Sequence, residues 1–413
     1  MNAEIIAVGS ELLTPQRVDT NSLYITGELN DLGVEVTAKS VVGDDRERLA
    51  ESVRRALLRA SIVVLSGGLG PTEDDVTRDA VALAMDRRLV FRAEISDQIE
   101  ARFRQMGRSM PEINKRQAYV LEGAEILPND RGTAPGQWLD SEGRYVILLP
   151  GPPHELKSMF AKHCVPRLER RLPRQIIRTR IFRVAGMSES DLDQTIAPIY
   201  TRYQNPVTTI LAHAGDIQVH LRARCGSETE AMALLAEVGA QIELKLADRI
   251  YSREGETLEA VVGDLLRRQH STLVVAESAT GGGLAERVTQ VPGSSDYFLG
   301  GFVVYNRRMK VSMLGIDEAL IEQFGAVSQE VAELMAHAAR LRTGATYSLA
   351  ITGNAGPGTD GPQAPAGTMF VALSDASGSS VMQRQFFGDR ARVKQFAGQM
   401  ALDMLRRRLQ RTP

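Results

Sequence analysis

The segment SGGLGPTEDDVTRD at 66–79 joins glycines to carboxylates where the pattern predicts a buried strand running into a helix. Glycines let a backbone approach a ligand closely, and the amides of such a turn and of a helix N-terminus can hold a phosphate. Asp75 and Asp79 are four apart, which places them on one face of the predicted helix, and with Asp74 they concentrate negative charge beside that phosphate position. Carboxylates next to phosphate make chemical sense when a divalent metal bridges them. The same acids also suit a first helical turn on dipole and capping grounds alone, so both readings stand at this point. Two further predicted strand ends carry glycine plus carboxylate: GSELL at 9–13 followed by DTN at 19–21, and VGDD at 42–45. Three consecutive strand ends of this kind form one polar crevice at the carboxyl edge of an open sheet.

A second constellation is ESATGGG at 277–283, which follows an apolar strand and opens a helix. Ser278 then projects from a strand-to-helix turn, a geometry that suits an attacking hydroxyl or an anion site. The G-x-S-x-G spacing is missing and no His-plus-acid set presents itself, so the serine needs another base. Lys310, at the end of the run 300–310, is a candidate, because a desolvated lysine can be neutral and accept a proton. An N-cap role for Ser278 and a solvated helical charge for Lys310 are the plainer alternatives.

Elements able to position these residues follow from periodicity. Apolar runs at 4–8, 34–42, 61–66 and 144–149 read as strands, and segments at 20–32, 45–59, 73–85 and 154–171 read as helices. Such alternation predicts an α/β, doubly wound, mostly parallel sheet over 1–172. A small α+β module is expected at 173–250, with strands at 176–184 and 216–224 and helices near 188–196 and 227–245. A second α/β domain covers 255–413, closing with strands at 367–374 and 381–387 and a basic helix at 389–411. Lys+Arg 49 against Asp+Glu 51 leave a net charge of −2, which excludes a global basic field for nucleic acid or an anionic membrane. Cys164 and Cys225 match neither a disulfide framework nor a zinc spacing, and are expected to be thiols in a reducing compartment. No apolar run approaches the ~18 residues of a membrane span and the first residues lack a basic leader, so a cytoplasmic protein is expected.

The motifs GSELL, DTN, VGDD, GGLGPTEDDVTRD, GTAPG at 132–136 and LPGPPHE at 149–155 resemble, in family order, the molybdopterin-binding-like domain that opens proteins of the competence/damage-inducible CinA family. That resemblance implies a metal-dependent ADP-ribose pyrophosphatase yielding AMP and ribose 5-phosphate, with a pterin ligand as the alternative. Asp74, Asp75 and Asp79 are then the expected catalytic carboxylates. Gly67, Gly68, Gly70 and Thr72 are expected to cradle phosphates, with Glu11 and Asn21 on the substrate. Asp19, Asp44, Asp75 and Asp79 are the expected ligands of Mg, Mn or Co. The module at 173–250 occupies the place of the family's KH-like domain. A nucleic-acid-gripping KH domain uses a G-x-x-G loop, and AGMS at 185–188 offers one Gly, so a structural or homodimerising role is expected.

ESATGG, PGSS at 292–295, GGFVVY at 300–305 with Lys310, GAVS at 325–328, ITGNAGPG at 351–358, PAGTMF at 365–370 and FFGDR at 386–390 resemble the family's nicotinamide mononucleotide deamidase domain. The resemblance implies that Ser278, Tyr305 and Lys310 hydrolyse the carboxamide of nicotinamide mononucleotide, without a metal, to nicotinic acid mononucleotide and ammonia. Thr280, Gly281, Gly282, Gly353, Ala355, Gly356 and Arg390 match its substrate-binding positions. Ala279 stands where Cys is common and Asn354 where Ile is usual, followed by an irregular stretch at 359–364. A competence or DNA-repair accessory that binds DNA or a recombinase is the competing class. The arginines at 406, 407, 408 and 411 are expected to be a solvated helix end, giving at most weak, salt-sensitive DNA binding.

Overall fold

The computed structural model describes residues 1–141, 143–173, 175–358 and 364–411, so the irregular stretch at 359–363 lies outside the described residues. By compactness the chain divides into two units, residues 1–178 with 224–232, and residues 179–223 with 233–413.

In the first unit a six-stranded sheet runs in the order Glu35–Val42, Asn2–Val8, Ile62–Ser66, Arg144–Leu149, Gly136–Ser141, Glu125–Leu127. The first four strands are parallel and the last two antiparallel. Ile62–Ser66 is buried along its whole length, as a strand covered on both faces must be. Alternate residues feed opposite cores. Ile6, Val63 and Leu65 pack with Leu49 and Val53, while Ile5, Ile62 and Val64 pack with Ile25, Leu29 and Trp138. The helix expected near 154–171 occurs as Pro153–Met159, a π turn Phe160–Cys164, and Val165–Arg171. Pro166 lies just past the π turn and has no N–H to continue the ladder. Cys164 is buried there, which pushes its thiol well above the usual range, in keeping with an inert thiol.

One boundary moves with consequence for the site. The helix expected from 73 begins at Thr77 and runs to Met85. Asp75 instead takes the Thr72 amide and hydroxyl on its Oδ2 at 2.9 and 2.6 Å. A short acid bonded back to its own turn competes with helix formation. Asp75 and Asp79 therefore do not share a helical face, which corrects the expectation.

The second unit holds most of the middle module, whose sheet orders Val207–His213, Asp216–Cys225, Ile176–Ala185, Ile250–Ser252, with helices Glu189–Tyr200 and Glu228–Leu246. Val207–His213, unforeseen in the sequence, is a largely exposed partner to Asp216–Cys225. The second sheet orders Phe298–Val303, Leu273–Glu277, Tyr347–Gly353, Thr368–Asp375, Gly378–Gln385, with the first three parallel and the last two antiparallel. Ala185 and Tyr251 of the middle module belong to the same apolar cluster as Leu258, Leu349 and Leu405. Packing is thus continuous across the expected break at 250–255.

The basic helix forms as Arg390–Arg411, but its end is not a solvated face. Arg406 is 0% exposed, bonds Asp403 at 2.6 Å and donates to the Asp248 carbonyl at 2.9 Å. Arg407 pairs with Asp403 and Arg408 with Asp375. Cutting Arg406 to alanine leaves the Asp403 carboxylate to Arg407 alone and removes the donor to the Asp248 carbonyl, and Arg406→Ala is expected to lower unfolding stability by about 1.5–3 kcal/mol, read from a urea titration.

Candidate functional site

Strand Leu273–Glu277 is buried at every position and delivers Ser278 to the carboxyl edge of its sheet. The edge is tied on both sides: Ser278 N donates to the Ile351 carbonyl at 2.9 Å, and Val304 N donates to the Glu277 carbonyl at 2.8 Å. Beyond Val304 the chain turns into helix Arg307–Leu314, capped by Asn306, which accepts from Arg308 N. Lys310 points inward from that helix. Its Nζ lies 2.9 Å from Ser278 Oγ and donates to the Val304 carbonyl at 3.0 Å. Lys310 is 1% exposed and Ser278 7%, so Lys310 is not a solvated charge. Nor does Ser278 cap a helix: the following helix, Gly283–Thr289, has Gly282 at its N-cap.

The amides at that N-terminus have a resident partner. Glu277, wholly buried, accepts from Gly282 N and Leu284 N at 3.0 Å and from Ala285 N at 2.8 Å. A carboxylate occupies the place where an external anion would sit, which corrects the expectation that this turn holds a substrate phosphate through the Gly282 amide. Glu277 is the residue that sequence reasoning passed over. Its signal is a charged residue ending an otherwise apolar, fully buried strand.

Arg390 and Tyr305 form a second pair at the same edge. Arg390 donates to Tyr305 Oη at 2.8 Å and to the Gly356 carbonyl at 2.7 Å, and Tyr305 is 61% exposed. Gly353 and Ala355 serve packing. A Cβ at 353 would lie 2.6 Å from the Thr368 carbonyl oxygen, and the Ala355 methyl is in the apolar cluster. Both departures from the family pattern have a physical account. Ala279 is buried in that cluster, where no polar group is called for. Asn354 donates to the carbonyls of Gly358 and Ala364 and accepts from Gly356 N, so it fastens its own loop. Thr280 is buried, and its hydroxyl has no hydrogen-bond partner. Gly281 lies beside Lys394, whose Nζ would be 3.7 Å from a Cβ there.

In the first unit the strand ends open on a cleft of about 480 Å³. Glu11, Asp44, Gly67, Gly68, Gly70, Asp74 and Asp75 line it, as the sequence implies. Gly67 has φ +104°, and a Cβ there would lie 2.3 Å from the Val8 carbonyl oxygen, so only glycine fits. Arg78 is buried and donates to the carbonyls of Leu69 and Gly70 at 2.6 and 2.8 Å, fixing the loop from below. Burial draws its guanidinium below the usual range, against the opposing charges of Asp75 and Asp79. Glu155 also lines the cleft, accepting from Asn129. Neither Arg78 nor Glu155 was singled out from sequence, though both lie in quoted motifs.

Four expected residues are not among those lining the cleft. Asp19 caps helix Thr20–Asp31 by accepting from Ser22 N, and Asn21 donates to the Gly151 carbonyl. Asp79 sits in the first turn of Thr77–Met85, and Thr72 is bonded to Asp75. Among the described residues no group of three or more His, Cys, Asp or Glu side chains is placed to hold a metal. The quartet Asp19, Asp44, Asp75 and Asp79 is therefore not one ligand cluster: Asp19 caps its own helix, and neither Asp19 nor Asp79 lines the cleft that holds Asp44 and Asp75. What remains in the cleft, Asp44, Asp74 and Asp75 beside glycines, fits a hard cation held by one or two carboxylates and completed by phosphate oxygens.

Together these features define an α/β protein with a molybdopterin-biosynthesis-like first domain, a middle KH domain, and a C-terminal domain bearing a buried Ser–Lys pair. Family profiles match in that order: a probable molybdopterin binding domain at residues 4–170, a damage-inducible protein CinA KH domain at 179–252, and a CinA C-terminal domain at 255–409. A CinA-like protein of Solibacter usitatus (strain Ellin6076) is 62% identical over 409 residues, covering 99% of this chain and 98% of that one. A putative competence-damage inducible protein of Caldicellulosiruptor saccharolyticus is 37% identical over 407 residues, covering 98% and 99%. A solved structure of CinA from Thermoplasma acidophilum, 32% identical, covers 39% of this chain and 94% of its own, with a TM-score of 0.37. The chain belongs to the CinA family. Among the described residues no helix is long and apolar enough to cross a membrane.

Proposed function

We propose that the chain is a bifunctional hydrolase of pyridine nucleotides, deamidating nicotinamide mononucleotide in its C-terminal domain and cleaving ADP-ribose in its first. The observation that carries the reading is the approach of Lys310 Nζ to Ser278 Oγ, 2.9 Å apart and both buried. Out of water, a neutral lysine amine can take the serine proton as Oγ attacks the carboxamide carbon. The same proton then passes to the departing nitrogen, which leaves as ammonia, and water hydrolyses the acyl-serine to the acid. Tyr305, held by Arg390 and exposed to solvent, would position the substrate.

In the first domain one or two of the cleft carboxylates Asp44, Asp74 and Asp75 would hold a divalent cation together with the pyrophosphate oxygens. When bound, that cation supplies charge neutralisation and polarises the phosphoryl group. The residues' own part is to orient: Arg78 fixes the glycine loop, and Asp75 is set by Thr72. A pterin is the second reading for this cleft, favoured by the matching profile's description. A DNA-binding accessory role is disfavoured by the arginines at 406–408, whose charges are paired within the protein. The test is to incubate the full chain with nicotinamide mononucleotide and no added metal, following ammonia and nicotinic acid mononucleotide by chromatography. Both are expected; unchanged substrate would sink the deamidase reading.

A further inference from the structure

In the first unit's cleft, Thr133 and Ala134 of the loop 129–134 and Glu155 of helix Pro153–Met159 line the space together with the glycines and aspartates already described. Asn129 ties these residues to one another, with all four hydrogen-bonding positions of its amide in use. Its Oδ1 accepts from Arg131 N and Gly132 N at 3.0 and 2.8 Å, and its Nδ2 donates to the Ala134 carbonyl at 2.8 Å and to Glu155 Oε2 at 2.6 Å. Three of those bonds hold the loop, and the fourth aims the carboxylate.

Gly132 completes the seat. A Cβ there would overlap both oxygens of the Glu155 carboxylate, and Gly132 has no positive φ, so it is the carboxylate and not the backbone that requires glycine. The other oxygen, Oε1, accepts no hydrogen bond among the described residues; His154 Nε2 approaches it only to 4.0 Å. The side chain is 14% exposed, and among the described residues no lysine or arginine pairs with it. Nor do Glu155 and two of the cleft aspartates form a group that could hold a metal, again among the described residues. A carboxylate aimed through one oxygen, open at the other and not neutralised by a cation has the arrangement of a general base.

We infer that Glu155 is the catalytic base of the first domain, taking a proton from the water that attacks the pyrophosphate; the inference rests on the ADP-ribose reading above. Water passes one proton to Glu155 Oε1 as its oxygen bonds to phosphorus. The bond from that phosphorus to the bridging oxygen breaks with its electron pair on the departing phosphate, and Glu155 returns the proton to that oxygen. AMP and ribose 5-phosphate thus share the atoms of one water. Asn129 is a positioning residue in this scheme, acting only through Glu155.

The test uses the full chain with Mn²⁺ as the cation, reading kcat and KM for ADP-ribose and, by calorimetry without ADP-ribose, the affinity for Mn²⁺. Glu155→Gln keeps an oxygen for Asn129 but cannot take the proton, so kcat is expected to fall about 10²-fold or more. KM and the Mn²⁺ affinity should stay within about threefold, as for a group that acts only in the transition state. Gly132→Ala is the second variant should Glu155→Gln fold poorly: it displaces the carboxylate with its charge intact, and kcat should fall at least about tenfold at the same Mn²⁺ affinity. An Mn²⁺ affinity that drops in step with kcat in Glu155→Gln makes Glu155 a metal ligand and overturns the proposal. A rise in KM at unchanged kcat makes it a substrate contact, with the same result. If the unaltered protein does not cleave ADP-ribose, the underlying reading falls and the base with it, whereas cleavage that Glu155→Gln retains in full removes the base alone.

Discussion

Ser278→Ala is expected to abolish ammonia release from nicotinamide mononucleotide while leaving the fold and the ADP-ribose activity in place. Losing a nucleophile that acts as a unit with its base costs on the order of 10⁴–10⁶ in kcat. The structural cost is small by comparison. One hydrogen bond to Lys310 is lost, about 1 kcal/mol, and Lys310 keeps the Val304 carbonyl. Lys310→Met should fall to a similar floor, and the double variant should be no slower than either single one, since each removes the same step. A folded Ser278→Ala protein, verified by circular dichroism, that still turns over at an unaltered rate would take the serine out of the mechanism.

The second large effect concerns the other site. Excess EDTA is expected to silence ADP-ribose cleavage and spare the deamidase in the same sample. A pyrophosphate brought against Asp44, Asp74 and Asp75 is repelled unless a cation reverses the local sign. Asp75→Asn is the sharper probe. The amide keeps an oxygen for the Thr72 amide and hydroxyl, so the turn is preserved while the charge is removed. Loss of several kcal/mol of charge stabilisation corresponds to a fall of roughly 10²-fold or more in kcat. Phosphate release from AMP and ribose 5-phosphate, formed in a phosphatase-coupled assay, reports it. Unchanged turnover in EDTA, or in Asp75→Asn, would favour the pterin reading.

Much of this architecture was legible in the residues. Apolar strands alternating with amphipathic helices located both large sheets, because a buried parallel strand admits little but Val, Ile, Leu and Ala. Residue chemistry offered Lys310 as a candidate base for Ser278, but only the resemblance to the family motif favoured the pair over the plainer readings, since their separation of 32 residues has no local meaning. What could not be read was set by contacts made after the elements form. Nothing local says that Glu277 will be taken inward by the helix that follows it, or that Asp75 will bond back to Thr72 and delay a helix start. The fate of Asp19 turned on a cap, which competes with ligand duty for the same carboxylate. Strand Val207–His213 went unseen because its side chains are mostly exposed and carry no hydrophobic alternation strong enough to stand out.

The burial of Arg406 bears on how the gene tolerates damage. In most proteins a stop codon within the last few positions trims a tail. Here a stop before codon 406 takes away the cation that neutralises Asp403 and ties the Asp248 carbonyl, and with it Leu409 of the shared apolar cluster. Such late nonsense alleles are therefore expected to behave as loss-of-protein alleles, cleared by proteolysis, rather than as mild truncations.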